Sequence, residues 1–148
     1  MAHYSGEGGI QISRARLWEF LQLHSDPAAI GQIHPDVVHQ SVGRSSGGEV
    51  VLERTLRVPR NRTLNSTWKV TSDPPQMFRW EIVAGEGPME IGSWVENHYT
   101  DAPEGSTWVK TEAEISIQRI PRFLQKAAVR RVLSSIDAQD LAYLRAHP

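Results

Sequence analysis

From Val37 to Ile117 the chain alternates apolar and polar residues in short runs broken by turns, and no other feature narrows its fold as much. Six runs read as strands: Val37–Val42, Glu49–Val58, Thr63–Thr71, Met77–Ala84, Met89–Thr100 and Thr107–Ile117. The segments between them are rich in glycine, proline, asparagine and aspartate, as in Gly43–Gly48, Pro59–Asn61, Asp73–Pro75, Gly85–Pro88 and Asp101–Gly105. Short turns between strands make an antiparallel meander. Within a strand, successive side chains point to opposite faces. Val50, Leu52, Leu56 and Val58 therefore share a face against Glu53, Thr55 and Arg57. Leu64, Trp68 and Val70 do so against Asn65, Thr67 and Lys69; Phe78, Trp80 and Ile82 against Arg79 and Glu81. Val109, Ala113, Ile115 and Ile117 oppose Lys110, Glu112 and Glu114. Such a sheet is wet on one face and dry on the other, and another element must cover the dry face.

The covering element follows Pro121. A helix expected from Arg122 to Arg145 carries Phe123, Leu124, Ala127, Val129, Val132, Leu133, Ile136, Leu141 and Leu144 as a broad apolar stripe. Ahead of the meander, Ile10 and Ile12 end a short opening strand. Ser13 is placed to cap a helix from Arg14 to His24. Asp26-Pro27 starts a second, short helix that must end at His34-Pro35. The expected fold class is α+β: a curved antiparallel sheet of about seven strands wrapped around a long C-terminal helix, with two short helices after the first strand. A chain of 148 residues is one ordinary domain, so residues 1–148 form a single unit.

Composition removes several function classes. With no cysteine, disulfide frameworks, thiolate metal sites and thiol nucleophiles are excluded. A net charge of −1 supplies no field for nucleic acid, and none is expected as a partner. No stretch reaches the roughly 20 apolar residues that span a bilayer, so no stable membrane insertion is expected. The start Met1–Gly9 lacks the basic residues and apolar run of a signal peptide, which points to a cytoplasmic location. No cofactor is expected, and the oligomeric state is left between monomer and homodimer.

Three stretches carry a resemblance: Leu17-Trp18-Glu19-Phe20-Leu21 after the opening strand, His34-Pro35-Asp36-Val37 at the step into the sheet, and Glu104-Gly105-Ser106-Thr107-Trp108-Val109 before the last strand. With the order of elements they resemble the START-like, polyketide cyclase-dehydrase (SRPBCC-type) superfamily across nearly the whole chain. Ser106, between the glycine and the threonine, departs from the usual form of that turn. The resemblance implies a helix-grip fold with a cavity between sheet and long helix for a hydrophobic or aromatic small molecule. It implies no particular chemistry, because fold does not determine function.

Candidate ligand-binding residues come from the inward face. Leu52, Leu56, Ser66, Trp68 and Trp80 form a wall, and Val129 faces it from the helix. Arg54 shares the face of Leu52 and Leu56. A buried guanidinium needs an anionic or strongly accepting partner, which is either a ligand carboxylate, phenolate or enolate, or a structural group of the protein. His34, where the second helix meets the sheet, serves either as a base or donor to a ligand or as a helix-terminal histidine. In Met89–Thr100 the set Met89, Ile91, Ser93, Val95, Asn97 and Tyr99 is placed inward, so Ser93, Asn97 and Tyr99 would supply polar contacts. A register flip would bring in Glu96 and His98 instead. The gaps between His24, His34 and His39 match no zinc spacing, and no metal is expected. Gly43-Arg44-Ser45-Ser46-Gly47 has the form of a hydrolase nucleophile turn but lies between two strands, so it reads as a hairpin turn. Arg119, Arg122, Lys126, Arg130 and Arg131 read as a solvated helix face.

Three functions fit this reading. The leading one is binding of a hydrophobic or aromatic small molecule, lipid- or polyketide-like. The alternative is a cyclase/aromatase or dehydratase-type enzyme that positions an enol with Arg54, Ser93 and Tyr99. A groove for a partner's helix is the third. An enzyme predicts several inward polar groups converging, a carrier a smooth wall with one anchor, and a partner groove exposed apolar surface.

Overall fold

The computed structural model describes residues 1–44 and 49–148. Seven antiparallel strands form one sheet: β1 (Ala2–Ile10), β2 (Val37–Arg44), β3 (Glu49–Val58), β4 (Arg62–Asp73), β5 (Met77–Gly85), β6 (Trp94–Ala102) and β7 (Ser106–Ile115). Their order across the sheet is β1-β7-β6-β5-β4-β3-β2. The meander accounts for every neighbour except β1, which returns beside β7 with Gly6 opposite Thr111 and Gly8 opposite Val109. Three helices lie on the concave face: α1 (Arg14–Leu23), α2 (Ile30–Ile33) and α3 (Gln125–Ala146). This is the expected α+β arrangement, a curved sheet gripping a long C-terminal helix. Among the described residues, no helix is long and apolar enough to cross a membrane.

Local chemistry sets the helix ends. The Ser13 hydroxyl accepts from the Arg16 amide at 3.2 Å and caps α1. Gln125, opening α3, accepts from the Ile117 amide at 2.9 Å and donates to the carbonyls of Ile117 and Ile120, both at 2.8 Å. One side chain thus ties the helix start to the end of the sheet. Residues Arg122–Leu124, expected as the first turn of the long helix, form a single 3-10 turn instead.

The core divides in two. Leu17, Phe20 and Leu21 of α1 pack with Ile33, Leu52, Val70, Phe78 and Tyr99. Val129 and Leu133 of α3 pack with Ile82, Met89, Ala113 and Ile115. Each fully buried Leu, Ile or Phe contributes about 1.5–3 kcal/mol through the apolar surface it removes from water. The inward parity read for β3, β4, β5 and β7 is the parity observed: Leu52, Val70, Phe78, Ile82, Ala113 and Ile115 are all buried.

Several expectations change. The opening strand is nine residues long rather than short, and it ends at Ile10. Asp26 does not start a regular helix. Its carboxylate accepts from the Ala28 amide at 2.9 Å and builds a turn, and α2 begins only at Ile30. Met89–Thr100 is not one strand, because Gly92 takes φ +92 and donates its amide back to the Ile82 carbonyl at 2.8 Å. Met89 keeps only an isolated bridge to Ile117, and β6 starts at Trp94. The hairpin read into Gly43–Gly48, with its hydrolase-like motif, falls largely on residues 45–48, outside the described residues.

Candidate functional site: a cavity with a polar end

Inward positions of β1 are occupied by Tyr4, Gly6, Gly8 and Ile10, since they lie opposite Ala113, Thr111, Val109 and Thr107. That face is bare at Gly8, whereas the Tyr4 ring lies over Gly6. A Cβ at Gly8 would meet nothing within 4 Å, while one at Gly6 would touch the Tyr4 hydroxyl at 2.7 Å. Beyond them run Thr111 and Val109 of β7, then Asn97 and Tyr99 of β6 in the same rows. The result is a cavity of about 320 Å³, within the usual range of about 300–1,000 Å³ for small-molecule sites. Its floor is β1, β7 and β6, its side wall Leu17, Phe20 and Leu21 of α1, and its roof Asp137, Asp140, Leu141 and Leu144 of α3. The roof explains why Leu141 remains 38% exposed although it belongs to the apolar stripe: it overhangs open space.

The polar groups of the lining are not interchangeable. Thr111 donates its hydroxyl to Asn97 Oδ1 at 2.6 Å, which leaves the Asn97 amide NH₂ to donate elsewhere. Burial raises the Tyr99 hydroxyl above its ordinary range; Asp140 and Asp137 push the same way, and hydrogen bonding with Asn97 offsets part of it. Tyr99 is therefore a protonated donor at every physiological pH. Asp137 holds its proton more tightly than an ordinary aspartate, through burial first and the neighbouring Asp140 second. Asp140 goes the other way: burial alone would raise it, but hydrogen bonds from His24 and His34 and their charge outweigh burial.

Behind Asp140 lies a second polar group. His24 Nε2 and His34 Nε2 each lie 3.0 Å from Asp140 Oδ1. His24 Nδ1 is 3.3 Å from the Phe20 carbonyl, and His34 Nδ1 meets Gln139 Oε1. These ligand-type atoms come from the end of α1, the end of α2 and the middle of α3. The spacing of His24, His34 and His39 hid this arrangement: His39 is exposed, and the third member is Asp140, 116 residues beyond His24.

The remaining residues singled out in the sequence are placed as follows. Asn97 and Tyr99 line the cavity, on the face expected for them. Arg54 points inward but lies outside the lining. Its Nε donates to Gln40 Oε1 at 2.5 Å, its Nη2 to the His24 carbonyl at 3.0 Å, and the group lies over Trp80 and Trp68, at 5.3 and 5.8 Å. Burial brings its pKa down to about 10, opposed by Asp140, so it is still charged at neutral pH. Trp68 donates to Ser66 Oγ at 2.9 Å. Ser93 Oγ accepts from the Ser116 amide at 3.1 Å and stitches the β5–β6 connection to the end of β7. Leu52 and Val129 are buried core residues, and Leu56 is half-buried opposite Leu64. Along β3–β5 Leu52 is buried while Leu56, Trp68 and Trp80 are partly buried, and the cavity lies under β1, β7 and β6. Gly6 and Gly8 were the signal in the sequence: two inward strand positions without side chains.

A long antiparallel sheet gripping a C-terminal helix over such a cavity is a helix-grip fold. Solved structures with the same fold include Ara h 8.0201, with a TM-score of 0.76 at 13% identity over 99% of each chain. The aromatase/cyclase ZhuI from Streptomyces sp. R1128 superposes with a TM-score of 0.65 at 14% identity, over 98% of this chain and 90% of its own. The di-domain aromatase/cyclase BexL of the BE-7585A biosynthetic pathway matches with a TM-score of 0.71 at 12% identity, over 98% of this chain and half of its own. No family model matches the sequence, and no curated protein matches it.

Proposed function

We propose that the chain binds a small apolar or aromatic molecule bearing at least one oxygen, lipid- or polyketide-like, in the cavity between β1, β6, β7 and α3. The observation that carries this reading is the open cavity lined by Gly6 and Gly8, with position 8 facing nothing within 4 Å, together with Asn97, Tyr99 and Thr111. Apolar walls take the body of a ligand, and the few polar groups orient its oxygens. Solved neighbours named as aromatase/cyclases support a small-molecule role for a cavity of this kind. The test is titration with a naphthol, a neutral aromatic hydroxyl compound, against wild type and Gly8→Leu. A Cβ at position 8 would meet nothing within 4 Å, so the leucine side chain starts from open space and projects into the cavity that Gly8 lines. Wild type should bind saturably, and Gly8→Leu should bind at least about tenfold more weakly, a change of about 1.4 kcal/mol. Equal binding by the two proteins would sink the proposal.

A second reading, an enzyme of the cyclase or dehydratase type, is favoured by the convergence of polar groups on the roof and floor. Tyr99 stays protonated, which suits a hydrogen-bond donor to a developing enolate, and Asp137 and Asp140 line the roof above it. Under this reading Tyr99→Phe still binds a poly-β-carbonyl analogue but no longer converts it. Conversion at the wild-type rate by Tyr99→Phe would exclude Tyr99 from that role.

A further inference from the structure

We propose that His24, His34 and Asp140 form a binding site for one divalent transition-metal ion of the zinc, cobalt or iron class. Among the described residues they are one group whose ligand atoms converge, all lying within 4.8 Å of one another. Tetrahedral zinc, with bonds of about 2.0–2.2 Å, holds its ligand atoms about 3.3 Å apart. The two 3.0 Å separations from Asp140 Oδ1 are already close to that spacing.

Hydrogen-bond accounting gives a second, independent argument. A neutral imidazole has one N–H and one lone pair. His24 faces an acceptor at both nitrogens, the Phe20 carbonyl and the Asp140 carboxylate. The carbonyl cannot become a donor. If Nδ1–H donates to it, the Nε2 lone pair points at a carboxylate unless a second ring proton or a metal ion stands between the two. In the proposed site that group is a metal ion. The arrangement around it is the one that metal-ligating histidines use, with Nδ1–H held by an acceptor and Nε2 presented to the metal. His34 repeats it, with Gln139 Oε1 at Nδ1. Both rings are well enclosed: His24 is 6% exposed, and the His34 side chain 13%.

Two charged neighbours bear on affinity. Arg54 interacts with Asp140 and opposes a cation, whereas Asp137 favours one. Two histidines and one carboxylate leave at least one coordination position open. Asp140 lines the inner end of the cavity, so the group to fill that position is an oxygen of the cavity's ligand, a carbonyl, phenolate or carboxylate. That last step rests on the cavity reading. The metal site itself does not.

The experiment is titration of the chelator-treated full chain with Co²⁺, followed by visible absorption and calorimetry. The proposal predicts one ion per chain with a d–d spectrum of nitrogen and oxygen ligation. His34→Gln and Asp140→Asn should weaken it at least about tenfold, and Gln139→Leu, which removes only the outer acceptor, about 10–100-fold. His39→Gln should leave it unchanged. Circular dichroism checks folding, and Gln139→Leu together with the wild-type stoichiometry carries the test if a ligand variant does not fold. Absence of saturable one-to-one binding would overturn the proposal, because His24 and His34 would then simply hydrogen-bond Asp140. So would weak binding of several ions that His34→Gln leaves intact. Naphthol titration of the metal-free protein separates this outcome from failure of the cavity reading.

Discussion

Asp137 and Asp140 stand one turn apart on α3, and their surroundings move their protons in opposite directions. For Asp140 the folded-state pKa lies below the usual 3.8, so its contribution to stability is complete above that value. It is lost as pH falls through the lower, folded-state value. For Asp137 the folded-state pKa lies above 3.8. The stability tied to its protonated form is present below 3.8 and lost as pH rises through the folded-state value. At pH 7 Asp140→Asn should therefore cost about 1.5–3 kcal/mol, the range for hydrogen bonds to a charged group. That cost should shrink as the solution is acidified below pH 3.8. Asp137→Asn should instead gain about 0.2–0.5 kcal/mol at pH 7 by removing a like-charge neighbour on the helix. Urea unfolding of both variants across pH measures the two signs, and equal signs would contradict the assignment. None of this was legible in the sequence, because the proton affinity of Asp140 depends on His24 and His34, which only the folded chain brings near.

At the level of elements, alternation worked wherever side chains were large enough to show it. β3, β4, β5 and β7 could be read because Val70 and Ile115 sit between charged or polar neighbours, and Leu52 and Phe78 are each followed by a charged one. Two failures share a physical origin in glycine. Parity ran unbroken through Met89–Thr100, but Gly92 adopts a left-handed conformation that few other residues tolerate, and the strand stops there. β1 gave no alternation signal in its second half, since Gly6, Gly8 and Gly9 have no side chains to alternate. The strand that shapes the cavity was therefore the hardest to read. Glycine inside a strand costs about 0.5–1 kcal/mol relative to alanine. Gly8→Leu should accordingly fold at least as stably as wild type while losing the naphthol, and thermal melting reports the first half of that statement. A large loss of stability would mean that position 8 does not face open space.

Across the whole molecule, the concave face is divided between a filled half and an open half. Under β3–β5, Leu52, Val70, Phe78 and Ile82 close the space, and Arg54 is held between Trp68 and Trp80 by Gln40 and the His24 carbonyl. Under β1, β7 and β6 the face is open, with Asp140 at the join between cavity and histidines. The sequence pointed to Trp68 and Trp80 as a ligand wall because inward aromatic residues look alike whether they line a cavity or fill a core. Only the position of α1 and α3 over the sheet separates the two cases. Methyl NMR of the naphthol-titrated protein tests the division directly. Saturable shifts at Leu17, Leu21, Val109, Leu141 and Leu144, with Leu52, Ile82 and Val129 unmoved, are the predicted result. Shifts centred on Leu52, Ile82 and Val129, or none at any methyl, would contradict a cavity under β1, β7 and β6.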